Sequence, residues 1–185
     1  MIKKSIMAAL ATAAALALLP TAPAAAASIE IRPSQPVTLK QADSRFHCAT
    51  NEVLIGREHR GDENGDTTFR CGQIWIDGVQ ATVLKLDIWG TKTKESSSNY
   101  VAPANSAISG IWHIGDENGD TIYYRALVFW QGKAVQITQQ GWSSWMRESN
   151  HAWWGGTGEV MTGRQHSGDE NGNTRYLPGI VSFSG

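Results

Sequence analysis

His59, Asp62, Glu63 and Asn64 lie within one short stretch, GREHRGDENGDTTF. The same set returns as His113, Asp116, Glu117 and Asn118 in GIWHIGDENGDTIY, and as His166, Asp169, Glu170 and Asn171 in GRQHSGDENGNTRY. An imidazole, two carboxylates and an amide side by side can pair with the hydroxyls of a sugar. The carboxylates and Asn would bond hydroxyls and the His would orient them. A ring a few residues on, Phe69, Tyr123 or Tyr176, could face a pyranose. Single sites of this kind are weak, and three on one rigid body gain through avidity. Catalysis offers no comparable reason for three copies.

Other chemistries compete for the same residues. D-E-N-G-D sets oxygens at alternate positions, like the start of a calcium loop, so calcium is the one ion these residues suggest. The match fails in detail, because that loop needs Gly sixth and a distant bidentate Glu. Transition-metal sites usually need closer His/Cys clustering, and no other cofactor is expected. Turn chemistry alone would also favour the motif. Asn-Gly suits a type I′ hairpin, and Asp caps a turn through its side chain. The histidines could equally point inward as satisfied structural groups. No G-x-S-x-G or H-E-x-x-H run occurs, so the expectation is a binding protein and not an enzyme.

A second cluster is Trp142, Trp145, Trp153 and Trp154, in GWSSWMRESNHAWWGGTG at 141–158. Indole offers a broad apolar face and one N–H donor, so an exposed cluster would stack on a sugar or a protein. Packing of these rings over one end of the domain is the plainer expectation, since tryptophan is mostly buried. If the loop is the site, the chain is a protein-binding module, an inhibitor or toxin partner, and the GDENG turns are scaffold.

The elements that must position these groups follow from the repeat. Alignment on GDENG gives offsets of 54 and 107, and other residues then coincide: Gly56, Gly110 and Gly163; Thr67, Thr121 and Thr174; Ile74, Val128 and Val181. A period of roughly 53 residues marks an internal repeat. Each unit reads as a strand, a polar tip and a return strand, followed by a further strand such as ATVLKLDIW or AVQITQQGW. The third unit ends at FSG, and SIEIRPSQPVTLK is left to supply its missing strand. The expectation is an all-β, pseudo-threefold domain, a β-prism or β-trefoil, with N- and C-terminal strands adjacent.

Residues 1–27 read as a signal peptide: MIKK is basic, an apolar run follows, and PTAPAAAAS offers cleavage sites. Residues 28–185 then form one domain, secreted or periplasmic and not membrane-spanning. Loss of Lys3 and Lys4 takes the formal net charge from −1 to −3. With no basic run, nucleic acid is not a partner; glycans, or a cell-surface or matrix component, are. Cys48 and Cys71 in an exported chain predict one disulfide around the first hairpin. The run C-A-T-N-E-V-L-I-G-R-E-H…T-F-R-C resembles the repeat of dermatopontin-type proteins, although their D-R-x-W element is absent and two units lack the cysteines. The resemblance implies extracellular adhesion or lectin activity and no catalytic residue.

Overall fold

The computed structural model describes residues 26–184, apart from 43, 63, 87–89, 117 and 170. The proposed signal peptide and Glu63, Glu117 and Glu170 therefore lie outside the described residues, save for 26 and 27. The fold is all-β, with no α-helix among the described residues.

Three short strands come first: β1 (Ile29–Pro33), β2 (Val37–Lys40) and β3 (Arg45–His47). The first long hairpin is β4 (Glu52–Arg60) and β5 (Asp66–Ile76). A connector follows, with β6 (Val79–Gln80), β7 (Thr82–Lys85), β8 (Thr91–Lys94), a 3-10 turn at Glu95–Ser97 and β9 (Asn99–Val101). The second hairpin is β10 (Ser106–Ile114) and β11 (Asp120–Trp130). Its connector holds β12 (Lys133–Ala134), β13 (Gln136–Gln139), β14 (Met146–Arg147) and β15 (Asn150–Trp154). The third hairpin is β16 (Glu159–Ser167) and β17 (Asn173–Ser182). All three hairpins fall where the repeat places them.

Each hairpin is the centre of one antiparallel sheet, and the connectors supply the edges. β1 and β2 line β5, β7 and β8 line β11, and β13 and β14 line β17. The other edges are crossed over: β15 pairs with β4, β3 with β10, and β9 with β16. With β6 turned back on β5 and β12 on β11, each connector lends strands to all three sheets. The N-terminal strand fills the open place in this scheme, but it does so on the first sheet. It pairs with β5, and no β1–β17 pairing occurs among the described residues. The expectation that the N-terminal strand completes the third sheet gives way because, past the two-residue strands β6 and β12, the strands that follow a hairpin line the next sheet, and β1 takes the corresponding place on the first.

Every hairpin slips register at the same place: between Leu54 and Gly56, Ile108 and Gly110, and Met161 and Gly163. A bulge of this kind bends and twists the strand locally. The three sheets share one interior. Its aliphatic part gathers Val53, Ile74, Ile76, Ala107, Val128, Val160 and Val181. An aromatic belt follows, in which each stacked pair bridges two sheets: Phe46–Phe69 at 4.4 Å, Tyr100–Tyr123 at 4.5 Å and Trp153–Tyr176 at 5.3 Å between ring centroids. The predicted Cys48–Cys71 disulfide is present, with both residues buried. Its loop of sequence separation 23 is worth about 3 kcal/mol on loop-closure entropy.

Candidate functional site

The GDENG tips are not the tight Asn-Gly turns that the dipeptide suggests. Neither Asn64, Asn118 nor Asn171 has a positive φ; that conformation falls on the first glycine, with Gly61 at 102°, Gly115 at 80° and Gly168 at 99°. The Asp then closes an Asx turn: Asn64 N–H donates to Asp62 Oδ1 at 2.9 Å, Asn118 to Asp116 at 2.9 Å and Asn171 to Asp169 at 2.8 Å. The last glycine packs against the backbone carbonyl that precedes the motif, at Arg60, Ile114 or Ser167, where a Cβ has no room. Its own carbonyl accepts a bond from a connector: Gln41 to Gly65 at 3.0 Å, Glu95 to Gly119 at 3.1 Å and Glu148 to Gly172 at 3.0 Å. Gly, Asp and Gly are therefore each set by backbone geometry. Asp62, Asn64, Asp116, Asn118, Asp169 and Asn171 are exposed.

The histidines part company with these groups. His59, His113 and His166 are buried, at 0%, 4% and 2% exposure, so they do not orient a ligand at the tips. Strand alternation turns them inward. His59 Nε2 donates to the Gly61 carbonyl at 3.0 Å, which leaves Nδ1 to accept from Thr67 at 2.8 Å. His166 Nε2 donates to Gly168 at 2.8 Å, and His113 Nδ1 bonds Thr121 at 3.1 Å. Burial, aided by Arg57, pushes His59 down to about 4.

The connector residues docked on the tips turn their side chains into the same space, where they meet two buried arginines. Arg164 grips Glu95 with both nitrogens, Nη2 to Oε1 at 2.8 Å and Nη1 to Oε2 at 3.2 Å. Its Nη2 also lies 3.1 Å from Glu148 Oε1. Arg57 Nη1 donates to Glu148 at 3.0 Å and to the Tyr176 hydroxyl at 3.0 Å, and its Nη2 donates to Gln41 at 3.1 Å. His151 completes the group: Nδ1 donates to the Glu148 carbonyl at 2.8 Å, and Nε2 accepts from Tyr176 at 2.7 Å. Burial, together with Arg57, pushes His151 down to about 3 against the pull of Glu148. Burial alone would raise the Glu95 and Glu148 carboxyls; Arg164 overrides it and holds both well below the usual carboxylate range.

Glu95, Glu148 and His166 bring ligand atoms within 4.8 Å of one another, which is close enough for a metal. The arrangement suits an ion-pair network better. Arg164 and Arg57 together already neutralise the two carboxylates, and a metal cation would have to displace them. The sequence signal for this network was the repeat carried backwards, since Gln41, Glu95 and Glu148 obey the GDENG offsets.

The four tryptophans of 141–158 go to three places. Trp153 stacks inside on Tyr176. Trp154, 37% exposed, lies on the first sheet against Gly56, with the Arg70 guanidinium 4.6 Å from its ring. Trp142 and Trp145 lie by the third sheet on either side of Arg175, at 4.9 and 4.3 Å, and Trp145 is 44% exposed. Arg175 donates in turn to Gln165 Oε1, at 2.9 Å from Nε and 2.7 Å from Nη2. On the second sheet Arg45 lies over Trp112 at 4.8 Å. Each sheet thus carries an indole paired with an arginine, a juxtaposition that the sequence spacing did not announce.

No family model matches the chain, and no curated protein or solved structure is significantly similar to it. No helix among the described residues is long and apolar enough to cross a membrane.

Proposed function

We propose that the protein is a secreted carbohydrate-binding module on a pseudo-threefold, prism-like β scaffold, and that its contact surfaces are the indole-bearing sheet faces and not the GDENG tips. The common sheet plan and the common bulge position support the symmetry. The disulfide supports export. The observation that carries the binding reading is Trp145, exposed beside an arginine and a glutamine that are already fixed to each other. An apolar ring face flanked by preset N–H and amide groups suits a pyranose, which has one apolar face and a rim of hydroxyls. The buried charges serve the scaffold by locking connectors to hairpins. The tips serve it too, through their backbone.

Glycan-array binding of the mature chain tests the reading. The expected result is a defined set of bound glycans, with binding about tenfold weaker in Trp145→Ala or Trp154→Ala and folding unchanged. An array on which no glycan is retained would overturn it. Changing Asp62, Asp116 and Asp169 together to Ala should leave glycan binding intact; loss of binding would return the site to the tips.

A further inference from the structure

A cleft of about 320 Å³ opens beside the disulfide, in a part of the chain that neither the tips nor the tryptophan faces include. It lies between the link from β1 to β2 and the segment that runs from β3 into β4. Ser34, Gln35, Val37 and His47 form its sides; Phe46, Glu52 and the Cys48–Cys71 bridge form its floor. Its volume is that of a small-molecule site.

The floor is built with care for one polar group. Glu52 is 7% exposed, and the Ser34 hydroxyl donates to its Oε1. Lys85 stands nearby, tied to the Cys48 carbonyl, with its ammonium pKa lowered by burial while Glu52 pulls it the other way. The carboxylate thus has a cation in its neighbourhood, so a cationic ligand is not called for, and its own charge disfavours phosphate or carboxylate ligands. What remains is a neutral molecule with donors for Glu52. His47 is held towards its neutral form by burial, Arg45 and Lys85, and so offers a neutral imidazole at the rim. Gln35 adds an amide. Phe46, Val37 and the disulfide give an apolar wall.

We infer that this cleft is a monosaccharide subsite: a pyranose lies on Val37, above a floor edged by Phe46, donates one hydroxyl to Glu52 and is met at the rim by Gln35 and His47. The inference rests on the carbohydrate reading but places a different residue set in contact. It also explains why one repeat differs from another at this point. Gln35 aligns with Trp142 at the repeat offset of 107, so the first unit has an amide where the third has an indole.

The test is titration of the isotope-labelled mature chain with methyl glycosides of glucose, galactose, mannose and N-acetylglucosamine, read by amide chemical shifts. The expected result is saturable shifts at 34, 35, 37 and 47–52 for at least one glycoside, with a dissociation constant of about 1 mM. Gln35→Trp should abolish them, and Glu52→Gln should weaken them about tenfold, with thermal melts of both variants unchanged. Shifts confined to the indoles of Trp145 and Trp154 overturn this subsite and leave the carbohydrate function standing. A chain silent to every glycoside and to the array overturns both. Shifts at the cleft that persist in Gln35→Trp overturn the subsite as drawn.

Discussion

The interior has two ends that obey different rules. At the aliphatic end aligned positions stay alike across the repeats: Ile74, Val128 and Val181, or Val53, Ala107 and Val160. At the tip end the buried histidines and threonines also stay alike, but the charged positions do not. Arg57 and Arg164 align with Ile111, and Glu95 and Glu148 align with Gln41. Apolar packing is non-directional, so three similar side chains can fill a shared space. Buried charges must be paired, and here two arginines face two glutamates while the aligned Ile111 and Gln41 are neutral. The apolar end repeats like with like; the charged end holds two arginines against two glutamates.

The sharpest way to break this contrast is to unbalance the charged end. Arg164→Met leaves Glu95 buried without its arginine, while Glu148 keeps Arg57. We expect a loss of about 3–5 kcal/mol in urea unfolding, and Arg164→Lys, which keeps the charge, should recover part of it. A loss under about 1 kcal/mol would mean that the network is idle. The aliphatic counterpart is Ile74→Ala, fully buried, with an expected loss of about 2–5 kcal/mol from transfer and cavity.

Acid should separate the two ends. An unfolded histidine binds its proton below about pH 6.5. Folded His59 does so only below about 4 and His151 below about 3, because burial, with Arg57, opposes the charged form. The unfolded chain therefore holds more protons in between, and stability should fall from about pH 6.5 down to about 4, and further towards 3. Glu95 and Glu148, held well below normal by Arg164 against the cost of burial, add a loss below about pH 4.5. Urea midpoints across this range check the sign; a flat profile would contradict it.

A subtler test makes the trade that the repeats themselves show. Arg57→Ile with Glu148→Gln imitates Ile111 and Gln41 and removes one charge of each sign. The pair should cost less than the sum of the single changes, with a coupling of about 1–3 kcal/mol. Additive losses would refute charge balance as the rule. The smallest effect belongs to the tips: Asp62→Ala removes one Asx bond and should cost about 0.5–1 kcal/mol.

Much of this design is readable in the chain, for identifiable reasons. The hairpins are legible because Gly56, His59, GDENG and Thr67 recur at fixed offsets, and the bridge is legible because only Cys48 and Cys71 exist. The turn type is not, since Asn-Gly is a strong local signal that loses here to Gly61 and the docking of Gln41 on Gly65. The buried charges escape notice because Arg57 and Glu95 come from segments far apart in sequence, and because a charged residue in a strand reads as outward-facing. The tryptophans mislead by proximity: Trp153 and Trp154 are neighbours, but strand alternation sends one inward and one out.

The crossed edges have a consequence for how the molecule comes apart. β15 belongs to the second connector yet completes the first sheet, and β3 and β9 are lent in the same way. Peeling any one hairpin away would strip strands from both others, so no repeat can fray alone. Proteases and mechanical force should find a knit fabric with a single all-or-none release, made slow to assemble by pairings between distant parts of the chain.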